Sequence, residues 1–365
     1  MDSKVFKKER IVCIDRFSNF GKSFCEEYSE SYIWESGTKV YINPQSSKTL
    51  NNCELEDIIE DKILSFIEKE NYENKIFFEK FNVYENISFD EVFEKRHWGY
   101  IRTGIIANDK GIYNISKPIF AEESLDELLH EFVAMNKVIN KPYRISPYNI
   151  TEETIFHFRP QAAAYIAHEV MGHCFEKDYD EMFTSNLFNV NTDFILGCSY
   201  SFKEINKHKR FTFRGIDDRG VVQNEEKVIL NNGKIENLIT GNRINDKDGT
   251  FKERMSCTYL EGEKSADRKE ETYIDVYSIS SGFVDYMNNK VILLINLAEL
   301  VEGDEVDRLS LLPIEIPLRN VFRNIVHVGN NVKIYQNFCN KDRQVIDVFS
   351  GAPTIIMKGF SLLRG

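Results

Sequence analysis

Apolar residues recur at helical spacing in two stretches of the first 150 residues. Between Leu55 and Glu70, Ile58, Ile59, Ile63, Leu64 and Ile67 fall on one face. Between Ser124 and Val138, Leu125, Leu128, Leu129 and Phe132 do the same behind a serine cap. Short runs such as Lys39-Val40-Tyr41-Ile42 and Lys75-Ile76-Phe77-Phe78 read as strands, so this part mixes helix and sheet. Pro160 then suits the first turn of a helix running through Ala162-Ala163-Ala164-Tyr165 to His168 and His173. Beyond roughly residue 185, alternating β-branched and aromatic residues dominate. The sharpest hairpin is Lys227–Leu230, Asn231-Asn232-Gly233, Lys234–Ile239, because Asn-Gly accepts the positive φ of a tight turn. Further strands are expected at Tyr273–Ile279, Lys290–Leu297, Val332–Phe338 and Thr354–Met357. The fold class is α+β: a mixed α/β domain over residues 1–150, then the histidine helix and a mostly antiparallel β domain over 151–365.

Composition narrows the partners. The 365 residues carry 46 Lys and Arg against 58 Asp and Glu, a formal charge of −12 that repels phosphate backbones, so no nucleic-acid partner is expected. The most basic run, Lys207-His208-Lys209-Arg210, reads as a solvated turn. The longest apolar run, Val291 to Leu297, is far too short to span a bilayer, and the charged start Met1-Asp2-Ser3-Lys4 lacks a signal-peptide core, so no membrane partner is expected. Seven cysteines, at positions 13, 25, 53, 174, 198, 257 and 339, form no regular framework, which points to reduced thiols in the cytoplasm.

The segment that carries chemistry is His168-Glu169-Val170-Met171-Gly172-His173. It is the zinc-peptidase pattern H-E-x-x-H with one extra residue. Histidines five apart on a regular helix point roughly 140° away from each other and cannot share one ion. A π-bulge absorbs the extra residue, and Gly172 is the residue that takes such a distortion cheaply, so a bulge or break is expected over Val170–Gly172. By itself the string fits either a metal site, with Glu169 placed to reach an attacking water, or two ordinary helix histidines.

A resemblance extends this reading. His168 to Asp178 reads His-Glu-Val-Met-Gly-His-Cys-Phe-Glu-Lys-Asp and resembles the H-E-A-V-G-H-G-L-E-G-D signature of the TldD/PmbA family of metallopeptidases, once described as modulators of DNA gyrase. Gly215-Ile216-Asp217-Asp218-Arg219-Gly220 is similar to that family's I-D-D-E-G turn, and Arg254-Met255-Ser256-Cys257-Thr258-Tyr259 to its R-M-T-N-T-Y stretch. Cys339-Asn340-Lys341-Asp342 and Gly351-Ala352-Pro353-Thr354 resemble its C-G-K-E and G-Q-P-T elements, in the same order. The resemblance makes Cys339 the third ligand beside His168 and His173, and two imidazoles with one thiolate leave a fourth zinc position open. It gives Glu169 the role of base, Glu176 that of steadying a histidine ring, and Arg254 and Tyr259 a place along the cleft. Cys174 replaces a family glycine and is a reserve ligand or a redox liability. Family members are longer ahead of the histidines, which implies a shortened first domain here.

What the resemblance implies is a peptidase with one Zn2+ per chain, cutting unfolded or extended peptides held by strand edges, with removal of a leader from a ribosomally made peptide as a specialised form. It also implies a dimer, with itself or with a TldE/PmbA-like subunit that lacks the metal motif. The competing readings are a non-catalytic peptide-binding or partner subunit, in which Glu169 has no purpose, and another metal hydrolase or redox site using the same ligand types.

Overall fold

A computed structural model of the chain describes residues 5–18, 24–35, 38–42, 54–69, 74–89, 92–107, 111–119, 122–144, 149–177, 196–208, 211–212, 214–244, 250–262, 270–309, 311–341 and 344–363. Asp178, Lys209, Arg210 and Asp342 of the motifs above lie outside them. The fold is α+β. The two periodic stretches are helices, Glu54–Lys69 and Glu122–Ile139, and each runs a residue or two beyond its expected start.

The first large sheet is wholly antiparallel, in the order Thr38–Ile42, Phe24–Glu35, Val5–Ser18, Lys75–Phe89, Val92–Ala107, Gly111–Pro118. Its central hairpin changes allegiance along its length. Ile76 and Phe78, with Ile101 and Ile105 opposite, pack with Ile63, Leu128 and Phe132 of the two helices. Phe81 and Val83, with Trp98 and Tyr100, have the other parity and therefore face the other side, where Ile205, Cys257 and Phe349 of the later sequence meet them. Phe81 and Tyr100 stack there with ring centres 4.5 Å apart.

A second sheet follows the order Lys234–Ile235, Glu226–Asn231, Tyr200–Ile205, Cys257–Gly262, Gln344–Ala352, Lys333–Lys341. Its hairpin turns at Asn232 and Gly233, with φ of 48° and 91°, the paired positive values that the Asn-Gly step accommodates. A third sheet of nine strands is built around Thr272–Asp285 and Lys290–Glu302. Antiparallel pairing dominates both, but Cys257–Gly262 with Gln344–Ala352, Phe156–Phe158 with Thr272–Asp285, and Tyr143–Arg144 with Glu305–Leu309 run parallel. The last pairing makes the third sheet reach back across residue 150. A seven-residue helix, Leu318–Asn324, too short to leave a periodic signature, buries Leu318, Val321 and Phe322.

The helix Pro160–Ile166 packs against Thr272–Asp285 on one side and Lys333–Lys341 and Gln344–Ala352 on the other. Pro160 occupies its first turn after an extended Arg159, and Ala162, Ala163 and Ala164 are buried. Alanine combines the best helix propensity with the smallest side chain, which lets strands of two sheets close on one short helix. No helix among the described residues is long and apolar enough to cross a membrane.

Candidate metal centre

The α-helix does not continue through the histidines. Ala167–Gly172 is a π-helical turn, and the His173 backbone N–H donates to the His168 carbonyl five residues back. The distortion falls where the H-E-x-x-x-H spacing requires it. It brings the two imidazoles to a centroid separation of 5.2 Å, edge to face. Gly172 has a second reason to be glycine: an added Cβ would lie 2.5 Å from Met255 Sδ and 3.2 Å from Thr258 Cγ2, so the strand Cys257–Gly262 and the residues before it press directly on the turn.

Cys339, on the edge strand Lys333–Lys341, completes the group. One ligand atom from each of His168, His173 and Cys339 lies within 4.8 Å of the others, and Cys339 Sγ is 3.4 Å from His173 Nε2. Tetrahedral zinc with ordinary bond lengths separates a nitrogen and a sulfur ligand by roughly 3.5 Å. His168 supplies a second indication: it is 2% exposed, and neither ring nitrogen has a hydrogen-bond partner. Two orphaned nitrogens in a buried ring cost free energy unless something accepts a lone pair. The three residues therefore form a set that can hold a metal ion.

The second histidine is held from behind. His173 Nδ1 lies 2.9 Å from Glu176 Oε2, which fixes the ring and turns Nε2 toward Cys339. Glu176 is fully buried, with Oε2 also receiving Lys341 Nζ at 2.8 Å and Oε1 receiving the Met255 backbone N–H at 3.1 Å. Burial opposes its charge, but His173, Lys341 and Arg254 prevail and lower its pKa to about 2. In return, and against the desolvation of its own ring, Glu176 and then Cys339 push the His173 pKa up to about 10. His168 goes the other way: burial first, then His173, depresses it well below the usual range and keeps it neutral.

Glu169 sits between the rings, with one carboxylate oxygen 3.7 Å from His168 Nε2 and the other 4.0 Å from His173 Nε2. Its pKa is raised, chiefly by burial, with His173 opposing. The exposure along this helix is periodic. Gln161, Tyr165, Glu169 and His173 are half-buried and every residue between them is buried, so a single polar stripe reaches the cleft. Burial first, and then the charges of Glu169 and Cys339, push the Tyr165 pKa up. Sequence reading places Tyr165 in the helix and Lys341 in the Cys339–Asp342 motif but assigns a role to neither.

The other singled-out residues lie around this group. Arg254 is sealed, its Nη2 donating to the carbonyls of Cys339 and Gln344, so it props the strand that carries the thiol. Tyr259 rests on Gly351, whose added Cβ would come within 2.8 Å of its ring. Cys174 is buried, its thiol pushed up to about 12 by burial and by Glu176, and it does not join the three-atom group. The Asp217–Gly220 turn is closed on itself. Asp217 is buried and accepts the backbone N–H groups of Arg219, Val221 and Asn242.

No family model matches the chain, and no curated protein matches its sequence. Solved structures do. TldE from Thermococcus kodakarensis superposes with a TM-score of 0.70 at 12% identity, over 98% of this chain and 96% of that one. The chain has the fold of TldE. Two proteins described as candidate modulators of DNA gyrase share it: one from Thermotoga maritima (TM-score 0.66, 15% identity, 98% and 96% covered) and one from Bacteroides thetaiotaomicron (0.64, 12%, 99% and 94%). The match to TldE runs through residues 1–150, which the sequence related to nothing, so the first sheet and its helices are part of the shared TldE-like fold.

Proposed function

We propose that this chain is a zinc-dependent peptidase that cuts unfolded or extended peptides, with Glu169 as its proton-transfer group. The observation that supports it most is the convergence of His168, His173 and Cys339 on one point through a π-turn, with Glu169 between the two rings. His168 Nε2 or Nδ1, His173 Nε2 and Cys339 Sγ would hold one zinc and leave its fourth position open. Bound there, zinc supplies Lewis acidity that polarises a substrate carbonyl and acidifies water.

The remaining work falls to the protein's own groups. The Glu169 carboxylate takes a proton from the attacking water and returns it to the leaving amine nitrogen, and its raised pKa favours the return. The Glu176–Lys341 pair holds the His173 ring so that Nε2 stays directed at the ligand point. The strands Gly111–Pro118 and Lys333–Lys341 end their sheets beside each other, and strand ends of this kind offer main-chain groups to an extended chain. Removal of a leader from a ribosomally made peptide is a specialised form of this chemistry. The described cysteines, Cys13, Cys174, Cys198, Cys257 and Cys339, are free thiols, which supports a reducing, cytoplasmic setting.

One specific observation favours a second reading. A neighbour in fold is named TldE, the subunit type that in the resemblance lacks the metal motif, so fold alone fits a non-catalytic partner subunit as well. The orphaned His168 ring and Glu169 favour catalysis, with a TldE/PmbA-like chain or a second copy as the partner. Zinc content of the purified chain, native and Cys339→Ala side by side, decides between them. The expected result is about one zinc per chain, lost in the variant, together with cleavage of an unfolded polypeptide. A native protein that takes up no zinc under non-chelating conditions would leave the binding-subunit reading in possession.

A further inference from the structure

A solvent-open cleft borders the metal set, with Gln161 and Tyr165 of the helix's polar stripe along it. Three consecutive residues of the strand that carries Cys339, namely Gln336, Asn337 and Phe338, line it. Side chains alternate along a strand, so three in a row can line one cleft only where it runs along the strand's edge. A second wall is Ile112, Asn114 and Ser116, alternate residues of the edge strand Gly111–Pro118. Gln161 donates to the Asn114 carbonyl at 2.6 Å and ties that wall to the helix.

Two of these lining residues are large, apolar and open to water. Ile112 is 56% exposed and Phe338 48%. Single apolar side chains on a surface need no explanation, but two from different sheets that line one cleft beside a metal set do. The Ile112 wall also has a built backing. Ile112 pairs with Ile106, and Phe77 stands opposite Gly104 on the same face of the first sheet. An added Cβ at Gly104 would collide with the Phe77 ring and with Asn114 Oδ1, so this glycine lets the ring lie across its strand toward the cleft wall. Phe77 and Ile106 are half-buried and continue the apolar ledge behind Ile112. The cleft offers no unbalanced charge. No carboxylate is among the described lining residues, and the one cation, Arg102, gives its Nε to Glu79 at 2.6 Å. The rest of the lining is amide, hydroxyl and hydrocarbon.

We propose that Ile112 and Phe338, with Phe77 and Ile106 behind them, form a subsite for one bulky apolar side chain, such as Leu or Phe, of an extended peptide. Covering apolar surface that is exposed to water is favourable whatever the residues on either side. A Lys, Arg, Asp or Glu side chain would lose water there and find no unbalanced charge in exchange. The amides and hydroxyls of the remaining lining suit a neutral main chain. Phe338 adjoins the ligand Cys339, with about 3.8 Å between their Cα atoms, so the selected side chain lies within about three residues of the bond to be cut. The subsite rests on the peptidase reading for its substrate. It also matches that reading, because bulky apolar side chains are buried in folded proteins and offered by unfolded ones.

The test uses the full-length, zinc-loaded Glu169→Gln protein and fluorescently labelled Gly/Ser decapeptides that carry Leu, Phe, Asn, Lys or Glu at one position, moved along the chain. At one position the Leu and Phe peptides are expected to bind roughly tenfold more tightly than the Asn peptide, with Lys and Glu no tighter than Asn. Ile112→Ser and Phe338→Ser should each bring that ratio below about threefold. Ile112→Lys should reverse it, so that at the same position the Glu peptide binds more tightly than the Leu peptide, an exchange that a merely structural role would not produce. Zinc content and the thermal midpoint are read alongside. If Phe338→Ser loses its zinc, the two Ile112 variants, on a different sheet from Cys339, decide alone. Equal affinity for Leu and Asn, a Leu preference that is the same at every position, or one unmoved by Ile112 substitution in folded, zinc-loaded protein overturns the subsite. Cleavage by the unsubstituted protein is read separately. Leu peptides bound with the preference but never cut count against the peptidase and leave the subsite standing, and cutting without preference does the reverse.

Discussion

Two short motifs of this chain resemble the same family, and the structure treats them in opposite ways. The Asp217 carboxylate is filled: it accepts three backbone N–H groups. The histidine turn is half filled. His173 is held through Glu176, while His168 has no partner at either nitrogen. Both sites are buried and polar, and the difference is in what is left over. A satisfied buried group builds architecture, and an unsatisfied one marks the place where something else must bind.

The largest effect expected from this contrast is on turnover. Glu169→Gln should lower kcat by about 10²–10⁴-fold while leaving one zinc per chain, since it removes a proton carrier and no ligand. Steady-state kinetics beside metal analysis check it, and undiminished turnover would return Glu169 to a passive role. Asp217→Ala should show the reverse pattern. Loss of three accepted hydrogen bonds in a buried turn should cost about 2–4 kcal/mol of stability, read by denaturant unfolding, with zinc stoichiometry intact in the folded protein. Loss of zinc from a folded Asp217→Ala protein would erase the distinction between the two turns.

Smaller effects sharpen it. Glu176→Gln keeps the shape but weakens the grip on His173, so zinc affinity should fall about 10–100-fold in a chelator competition. Taken per pH unit, the pH dependence is the smallest effect. Without metal the His173 pKa is raised to about 10, so at neutral pH a proton occupies the nitrogen that zinc needs. Binding must expel it, and through this group apparent affinity should rise about tenfold per pH unit up to about pH 10. A flat affinity between pH 7 and 9 would mean that the ring is already neutral.

Much of this was readable from the residues. The spacing of Ile58, Ile63 and Ile67 is a local property, and so is the Asn232-Gly233 turn, and both elements formed where expected. For both histidines to share one ion, their five-residue interval requires a helix defect, and the defect is there. Cys339 could be placed only by resemblance, because 166 residues separate it from His173 and no local pattern links a strand residue to a helix. The role of Lys341 escaped for the same reason: its partner Glu176 is 165 residues away. Tyr143–Arg144 and Leu318–Asn324 are too short for any periodicity to register.

The hairpin formed by Lys75–Phe89 and Val92–Ala107 belongs to two cores at once, one through Ile76 and Phe78 and the other through Phe81 and Val83. Seen mechanically, it is a beam built into both walls. Bending it would open two hydrophobic seams together, so the halves of the molecule cannot swing as jaws on a linker. If the chain is the peptidase proposed above, a peptide would then be threaded into the cleft, and a chain too folded to be threaded would be spared. Selectivity for unfolded chains would come from the stiffness of the entrance and would need no recognition of sequence.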